Sequence, residues 1–209
     1  ALDLEDTGTN SVAVGYNALT AQNNDAANYN VAVGSSAGAA VTTGTGQTLI
    51  GGLAGDAITT GADNTAVGYQ ALSTNETSAN NTAVGVSALK LNTCAGNTAV
   101  GRGALLNQTG ASNNVALGYN ALNTNVMGSH SVAVGVNALK DQTFATASDF
   151  YNVAVGSDAG KSITSGQFNT FIGGLSGDAL AAADHNTAVG YVSGSALTTG
   201  TRNALLGSE

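Results

Sequence analysis

The chain has no proline, no tryptophan and a single cysteine in 209 residues, and only 9% of its residues are charged. Each shortage excludes something. Cys94 alone cannot close an intrachain disulfide, and no metal-ligand spacing surrounds it, so no metal or cofactor is expected. Disordered chains are usually rich in charge and proline and poor in β-branched residues, unlike this one. Five Lys and Arg against 13 acids give a net charge of −8, without the basic cluster that nucleic acid requires, so no nucleic-acid partner is expected. No apolar run approaches the roughly 20 residues that span a bilayer, and no charged-then-apolar leader opens the chain. The expectation is therefore no direct membrane insertion by this segment, with any anchor or secretion signal outside it. Glycine does not recur every third residue, which excludes collagen.

What the chain has is glycine on a ruler. Gly15, Gly34, Gly51, Gly68, Gly85, Gly101, Gly118, Gly135, Gly156, Gly173, Gly190 and Gly207 are spaced by 19, 17, 17, 17, 16, 17, 17, 21, 17, 17 and 17 residues. Each follows a variant of Asn-Thr-Ala-Val, as in Asn64-Thr65-Ala66-Val67-Gly68. A fixed short period means stacked units, each touching mainly its neighbours. The fold class expected is all-β, a parallel β-roll or solenoid of about twelve coils of 17 residues. At about 4.8 Å per coil, that is a rod roughly 58 Å long. A single unit buries too few aliphatic side chains to offset its backbone entropy, so stacking must supply the stability.

Residues 1–10 read as a lead-in and 11–209 as one repeat domain. A larger duplication overlies the small repeat, with 11–72 resembling 131–192. Tyr29-Asn30-Val31-Ala32-Val33-Gly34 returns as Tyr151-Asn152-Val153-Ala154-Val155-Gly156, and Ile50-Gly51-Gly52-Leu53 as Ile172-Gly173-Gly174-Leu175.

Aligned on the glycine, the units become columns. The residue before it is always Val, Ile or Leu; three before it, Val or Thr stands in all but the last unit; between them sits mostly Ala. This alternation marks a short half-buried strand. The β-branched columns are expected to face inward and the Ala column outward, as a close-packed subunit seam, with solvent-facing Ala the alternative. Where the Ala column becomes bulky, at Leu49, Phe171 and Leu205, the residue after the glycine is small: Gly52, Gly174 and Ser208. Four before the glycine, Asn fills nine of twelve places, read as a structural ladder at a turn. After the glycine, some units carry Ala-Leu, as at Ala71-Leu72, while others carry Gly with an apolar residue three positions on, as at Gly55 and Ile58.

Asn10-Ser11-Val12-Ala13-Val14-Gly15 and Ser131-Val132-Ala133-Val134-Gly135 resemble the head repeat of trimeric autotransporter adhesins. The form at Asn64 to Leu72 is also similar to repeats of phage and bacterial tail-fibre-like proteins. The resemblance covers nearly the whole chain. It implies a left-handed roll, a homotrimer and attachment to a host-surface receptor, glycan or protein. The period here is longer than adhesin heads commonly use, and no neck, stalk or anchor is present in the sequence.

Chemical motifs are sparse. Gly34-Ser35-Ser36-Ala37-Gly38 fits a nucleophile elbow, but its duplicate reads Gly156-Ser157-Asp158-Ala159-Gly160, so the match follows from the repeat. His130 and His185 read as exposed turn residues. Asp56 and Asp178 occupy matching positions without the ligand cluster calcium takes. The candidate binding residues are aromatic. Tyr16, Tyr69, Tyr119 and Tyr191 follow the glycine, with Arg102 in the same column, and Tyr29 and Tyr151 precede the Asn column; such a stripe either stacks on sugars or a protein partner, or caps the corner of the roll. Two insertions, around Gln22–Asn28 and Asp141–Asp149, sit in matching places, and Phe144, Phe150 and Tyr151 lie in or beside the second. Projecting loops on a rigid rod are a usual seat of recognition.

The function expected is a non-enzymatic structural or adhesive segment of a trimeric surface fibre, extracellular, on a cell surface or virion tail. The alternatives are an ice-binding solenoid, which needs a flat Thr array, and a polysaccharide-degrading spike, which needs paired carboxylates across a groove.

Overall fold

The Asn-Thr-Ala-Val motif becomes a three-residue strand in coil after coil. The computed structural model describes residues 10–23, 27–144 and 146–208. Twelve strands form one sheet: β1 (Val12–Val14), β2 (Val31–Val33), β3 (Thr48–Ile50), β4 (Thr65–Val67), β5 (Thr82–Val84), β6 (Thr98–Val100), β7 (Val115–Leu117), β9 (Val132–Val134), β11 (Val153–Val155), β12 (Thr170–Ile172), β13 (Thr187–Val189) and β14 (Ala204–Leu206). They lie side by side in chain order and all pair in parallel, Ala66 opposite Ala83 and Ala83 opposite Ala99. The chain is thus all-β, a parallel β-solenoid of about eleven turns. The remaining two strands, β8 (Gly128–Ser129) and β10 (Ser148–Asp149), pair with each other in a small second sheet.

Strands account for three residues of each coil, yet the hydrogen-bonding between coils continues beyond them. Leu72 N–H donates to Ala88 O, Leu89 to Ala104 O and Leu105 to Ala121 O, each at 3.0 Å. Backbone groups in the turns are therefore satisfied by the next coil, as buried peptide groups require.

The alternation expected of the strands is present with its phase reversed. Ala32, Ala66, Ala83, Ala99, Ala116, Ala133 and Ala154 are fully buried, and the Val, Ile and Thr columns on either side face outward. The inward β-branched face and the outward Ala seam are both overturned. The reason is room. A coil this narrow already holds an Ala-Leu pair opposite the strand, such as Ala71-Leu72 or Ala104-Leu105, both buried. Only a methyl fits between, so the larger β-branched side chains are expelled.

The exceptions confirm that account. Leu49 and Phe171 also point inward and are buried. They sit where the residue four after the glycine is itself glycine: a Cβ on Gly38 would come within 2.6 Å of Leu49 Cδ1, and one on Gly160 within 2.7 Å of Phe171 Cδ2. Their space comes from Gly38, Gly55, Gly160 and Gly177, not from Gly52 and Gly174, which lie outside beneath Tyr69 and Tyr191. A second exchange accompanies this one. Seven after the glycine, coils with Leu carry buried Gln22, Asn75, Asn92, Gln108, Asn125 and Gln142. Coils with Gly carry Val41, Ile58, Ile163 and Leu180 instead, also buried.

The Asn column is a buried ladder. Oδ1 of Asn97 accepts the N–H of Asn114 at 3.0 Å, and its Nδ2 donates to Ala111 O at 3.1 Å. The same two bonds recur from Asn30, Asn152 and Asn169. Side chains also bond directly along the ladder, Asn186 Nδ2 to Asn169 Oδ1 at 3.2 Å. At the next corner only glycine fits: Gly68 has φ +132°, and a Cβ there would lie 2.6 Å from the carbonyl oxygen of Gly85.

Candidate interaction surface

Because the strand phase is reversed, the sheet presents two outward files along its whole length. One holds Val14, Val33, Ile50, Val67, Val84, Val100, Leu117, Val134, Val155, Ile172, Val189 and Leu206; all are exposed or half-buried. The other carries Val12, Val31, Val115, Val132 and Val153, interspersed with Thr48, Thr65, Thr82, Thr98, Thr170 and Thr187. Eleven intervals of about 4.8 Å and a width near 10 Å give a strip on the order of 500 Å². That is at the upper end of what monomeric proteins leave open. It was not legible as a surface from the sequence, since the columns were expected inside.

Two further columns border this strip. Along the edge after the glycine, Tyr16, Tyr69, Tyr119 and Tyr191 are exposed, at 76%, 53%, 44% and 63%. Tyr69 lies over Gly52 and Tyr191 over Gly174, close enough that added Cβ atoms would be in ordinary contact with the rings. Arg102 Nη1 donates to the Tyr119 hydroxyl at 3.3 Å, and its guanidinium carbon sits 5.8 Å from that ring's centre.

The opposite edge, five residues before the glycine, holds a stack that the sequence reading missed. His130, Tyr151, Phe168 and His185 occupy this position in four successive coils. Their ring centres are separated by 5.1, 5.8 and 4.8 Å, with interplanar angles of 17°, 16° and 25°. Asp149 ties its first rungs together: Oδ1 lies 2.9 Å from His130 Nδ1, and Oδ2 accepts the Tyr151 hydroxyl at 3.4 Å. All four residues have positive φ, between 51° and 61°, the left-handed corner that leads into the Asn ladder. The signal was available by aligning residues on the glycine, but three residue types share the column and only their rings unite them. The two inner rings of the stack, Tyr151 and Phe168, remain exposed.

The second insertion does not stand clear of the rod throughout. Its β10 returns to pair with β8, and Phe150 is fully buried beneath Gly128. Phe144, 36% exposed, packs edge-on against it at 5.8 Å and 79°. Phe150 therefore leaves the candidate binding set, because a ring without solvent access touches no ligand; Phe144 and Tyr151 keep open surface. In the first insertion, Asn24–Ala26 lie outside the described residues, as do 1–9 of the lead-in.

Other candidates separate cleanly. Ser36 and Asp158 occupy the same turn position in their coils, both with positive φ, so the elbow-like motif is a coil corner. Asp56 and Asp178 each have an Oδ1 without a hydrogen-bond partner, and burial pushes both carboxyls above their ordinary pKa. Among the described residues no group of three or more His, Cys, Asp or Glu is placed to hold a metal ion, and no helix is long and apolar enough to cross a membrane. Thr42, Thr59 and Thr164 donate their hydroxyls to backbone oxygens of the following coil at 3.0 to 3.1 Å. Their protons are thus spent along the solenoid axis. Compared with protein-family models, with curated proteins and with solved structures, the chain matches none.

Proposed function

We propose that this chain is a non-enzymatic segment of a trimeric surface fibre, of adhesin-head or tail-fibre type, whose outer surface mediates attachment to a host or target. One observation carries the reading: the outward face of the long sheet is apolar along one file and half apolar along the other. Burying β-branched side chains is worth about 25 cal/mol per Å². A solenoid that has already filled its interior with alanine and leucine gains that term only by association. Three protomers with parallel axes bury all three strips around a common centre. The resemblance of Asn10 to Gly15 to adhesin-head repeats supports the same arrangement, including its left-handed coiling and extracellular setting. Phe144, in the second insertion and outside both border columns, keeps open surface and is the candidate for receptor contact.

A second reading gains from the reversed phase. Thr48, Thr65, Thr82 and Thr98 stand in consecutive coils on the outward file, paired with Ile50, Val67, Val84 and Val100. A flat file of this kind is what an ice-binding solenoid presents, whereas the corner threonines have their hydroxyls engaged. The two readings claim the same face, and a trimer buries what an ice binder needs exposed.

Solution mass by light scattering decides between them. Three times the 20.3 kDa chain mass supports the fibre. A folded monomer sinks it, and thermal hysteresis abolished by Thr65→Leu and Thr82→Leu would establish the alternative.

A further inference from the structure

The two columns that border the apolar strip compensate each other in size, coil by coil. Where the column before the strand is large, its counterpart after the glycine is small: Tyr29 with Ser35, Tyr151 with Ser157, Phe168 with Gly174. Where the first is small, the second is large: Asp63 with Tyr69, Gly96 with Arg102, Asn113 with Tyr119. Of the twelve coils, nine carry one aromatic ring or arginine across the two positions, neither none nor two. The exceptions are the coils of Gly46 and Asn80, with none, and of His185, which has Tyr191 as well.

Within one chain only Gly174 has a reason for its size, the Tyr191 ring beside it; the other pairs have none. The two positions are six residues apart, separated by an extended strand at about 3.3 Å per residue, and stand on opposite edges of the face. Ring contacts of these residues run along each column, His130 to Tyr151 and Arg102 to Tyr119, and not across. Size compensation between positions that do not touch has a direct physical cause if they touch between chains. In a parallel cyclic assembly, symmetry places each coil of one protomer at the height of the same coil in the next.

We infer that the column before the strand in one protomer packs against the column after the glycine in its neighbour, level by level. Tyr151 then lies on Ser157 of the partner subunit, and Phe168 on Gly174 of the partner subunit. At Gly174 an added Cβ would meet the Tyr191 ring at 3.4 Å and Ser157 O at 3.8 Å, both at ordinary contact, so Tyr191 borders that seat and the Phe168 ring meets it from the side. One large group per level fills the space left by a small one, the close packing that interiors and interfaces share. The contact is heterologous, joining two different patches, and closes into a ring. It sets the axial register of the trimer, since a slip of one coil would bring Tyr16 of the partner subunit to the level of Tyr29 and Tyr119 of the partner subunit to that of His130, two large groups at each level.

This inference rests on the trimeric reading above, and one experiment separates the two. With Cys94→Ser as background, Tyr151→Cys and Ser157→Cys are combined and treated with a short bismaleimide, alongside each single variant. Asn113→Cys with Tyr119→Cys repeats the test at a coil of opposite sense, should the first pair disturb folding. The expected result is a band at three times the chain mass on a denaturing gel for the pairs and none for the single variants. A sample that scatters light as a trimer yet gives no covalent trimer overturns the column pairing and leaves the fibre reading standing. A sample that scatters as a monomer overturns both.

Discussion

Leu49 occupies the volume that a leucine at position 55 would fill: a Cβ on Gly55 would stand 2.7 Å from Leu49 Cδ2. Elsewhere that position holds leucine without difficulty, Leu72 at φ 55° and Leu105 at φ 49°. The left-handed backbone is therefore not the obstacle; the clash with Leu49, and with Ile58 Cδ1 at 2.8 Å, is. Gly55→Leu alone is expected to cost about 1–3 kcal/mol through overpacking. Leu49→Ala alone should cost about 2–5 kcal/mol through the cavity it leaves. Together they restore the Ala and Leu of the commoner coil with Ile58 still in place, so the double variant should lose less than the sum. Chemical denaturation of the four proteins measures the coupling; strict additivity would show that the two residues do not share a space.

Asn97→Ala removes the acceptor of the buried Asn114 N–H, while Ala111 O, the other partner of Asn97, still accepts from Gln108 Nε2. A buried group left without a partner costs about 1–3 kcal/mol. The loss should therefore be about 1–3 kcal/mol, with an unchanged denaturant slope. Asn203→Ala, at the half-buried final rung, should cost far less. Equal losses at both positions would show that the ladder's strength does not come from burial.

Asp56 carries a carboxyl that burial raises above its ordinary pKa. Between the unfolded and the folded value, the folded state binds more protons, so stability falls as pH rises through that window. The ionised carboxylate is thus a cost to the fold at neutral pH. Asp56→Asn should raise the melting temperature near pH 7, and the gain should shrink to nothing below about pH 3.5. Asp178→Asn should follow the same course, its carboxyl raised first by burial and further by Asp158. A gain independent of pH would place the effect elsewhere than in the titration.

Val84→Lys sets a charge on the outward file while leaving the interior untouched, since Val84 is only half-buried in the single chain. If the strip lies at a trimer centre, three ammonium groups are forced together there and the mass should fall to that of one chain. The circular dichroism of the sheet should persist. A trimer that tolerates the lysine would mean that the strip faces solvent.

The repeat, the parallel stacking and the structural Asn column were all legible in the glycine ruler, because each depends on spacing and residue type alone. The inward face was not. Thr65-Ala66-Val67 alternates, but a period of two has no sign, and a slip of one residue exchanges the faces. What settles it is the volume opposite the strand, visible only when Ala66 is set beside Leu72 in three dimensions. The exchange of Asn75 for Ile58 seven after the glycine was written in the sequence as plainly as the Leu-to-Gly exchange. It passed unread because a buried amide and a buried aliphatic do not look like alternatives until both prove to be inside. The aromatic stack from His130 to His185 failed to register for a related reason: its members share flatness rather than identity.

The sequential order of the strands puts β1 and β14 at opposite ends of the stack, and the hydrogen bonds between coils run along its axis. Tension applied through the ends of one chain therefore loads the coils in series and opens each ladder like a zipper instead of shearing it. Each coil released would lengthen the chain from about 4.8 Å to as much as roughly 58 Å, at about 3.4 Å per residue. A single tethered protomer should yield in small even steps at modest force. A bundle of protomers sharing the load at each level would have to release several coils together. A solenoid of this kind gives way by paying out line, one turn at a time.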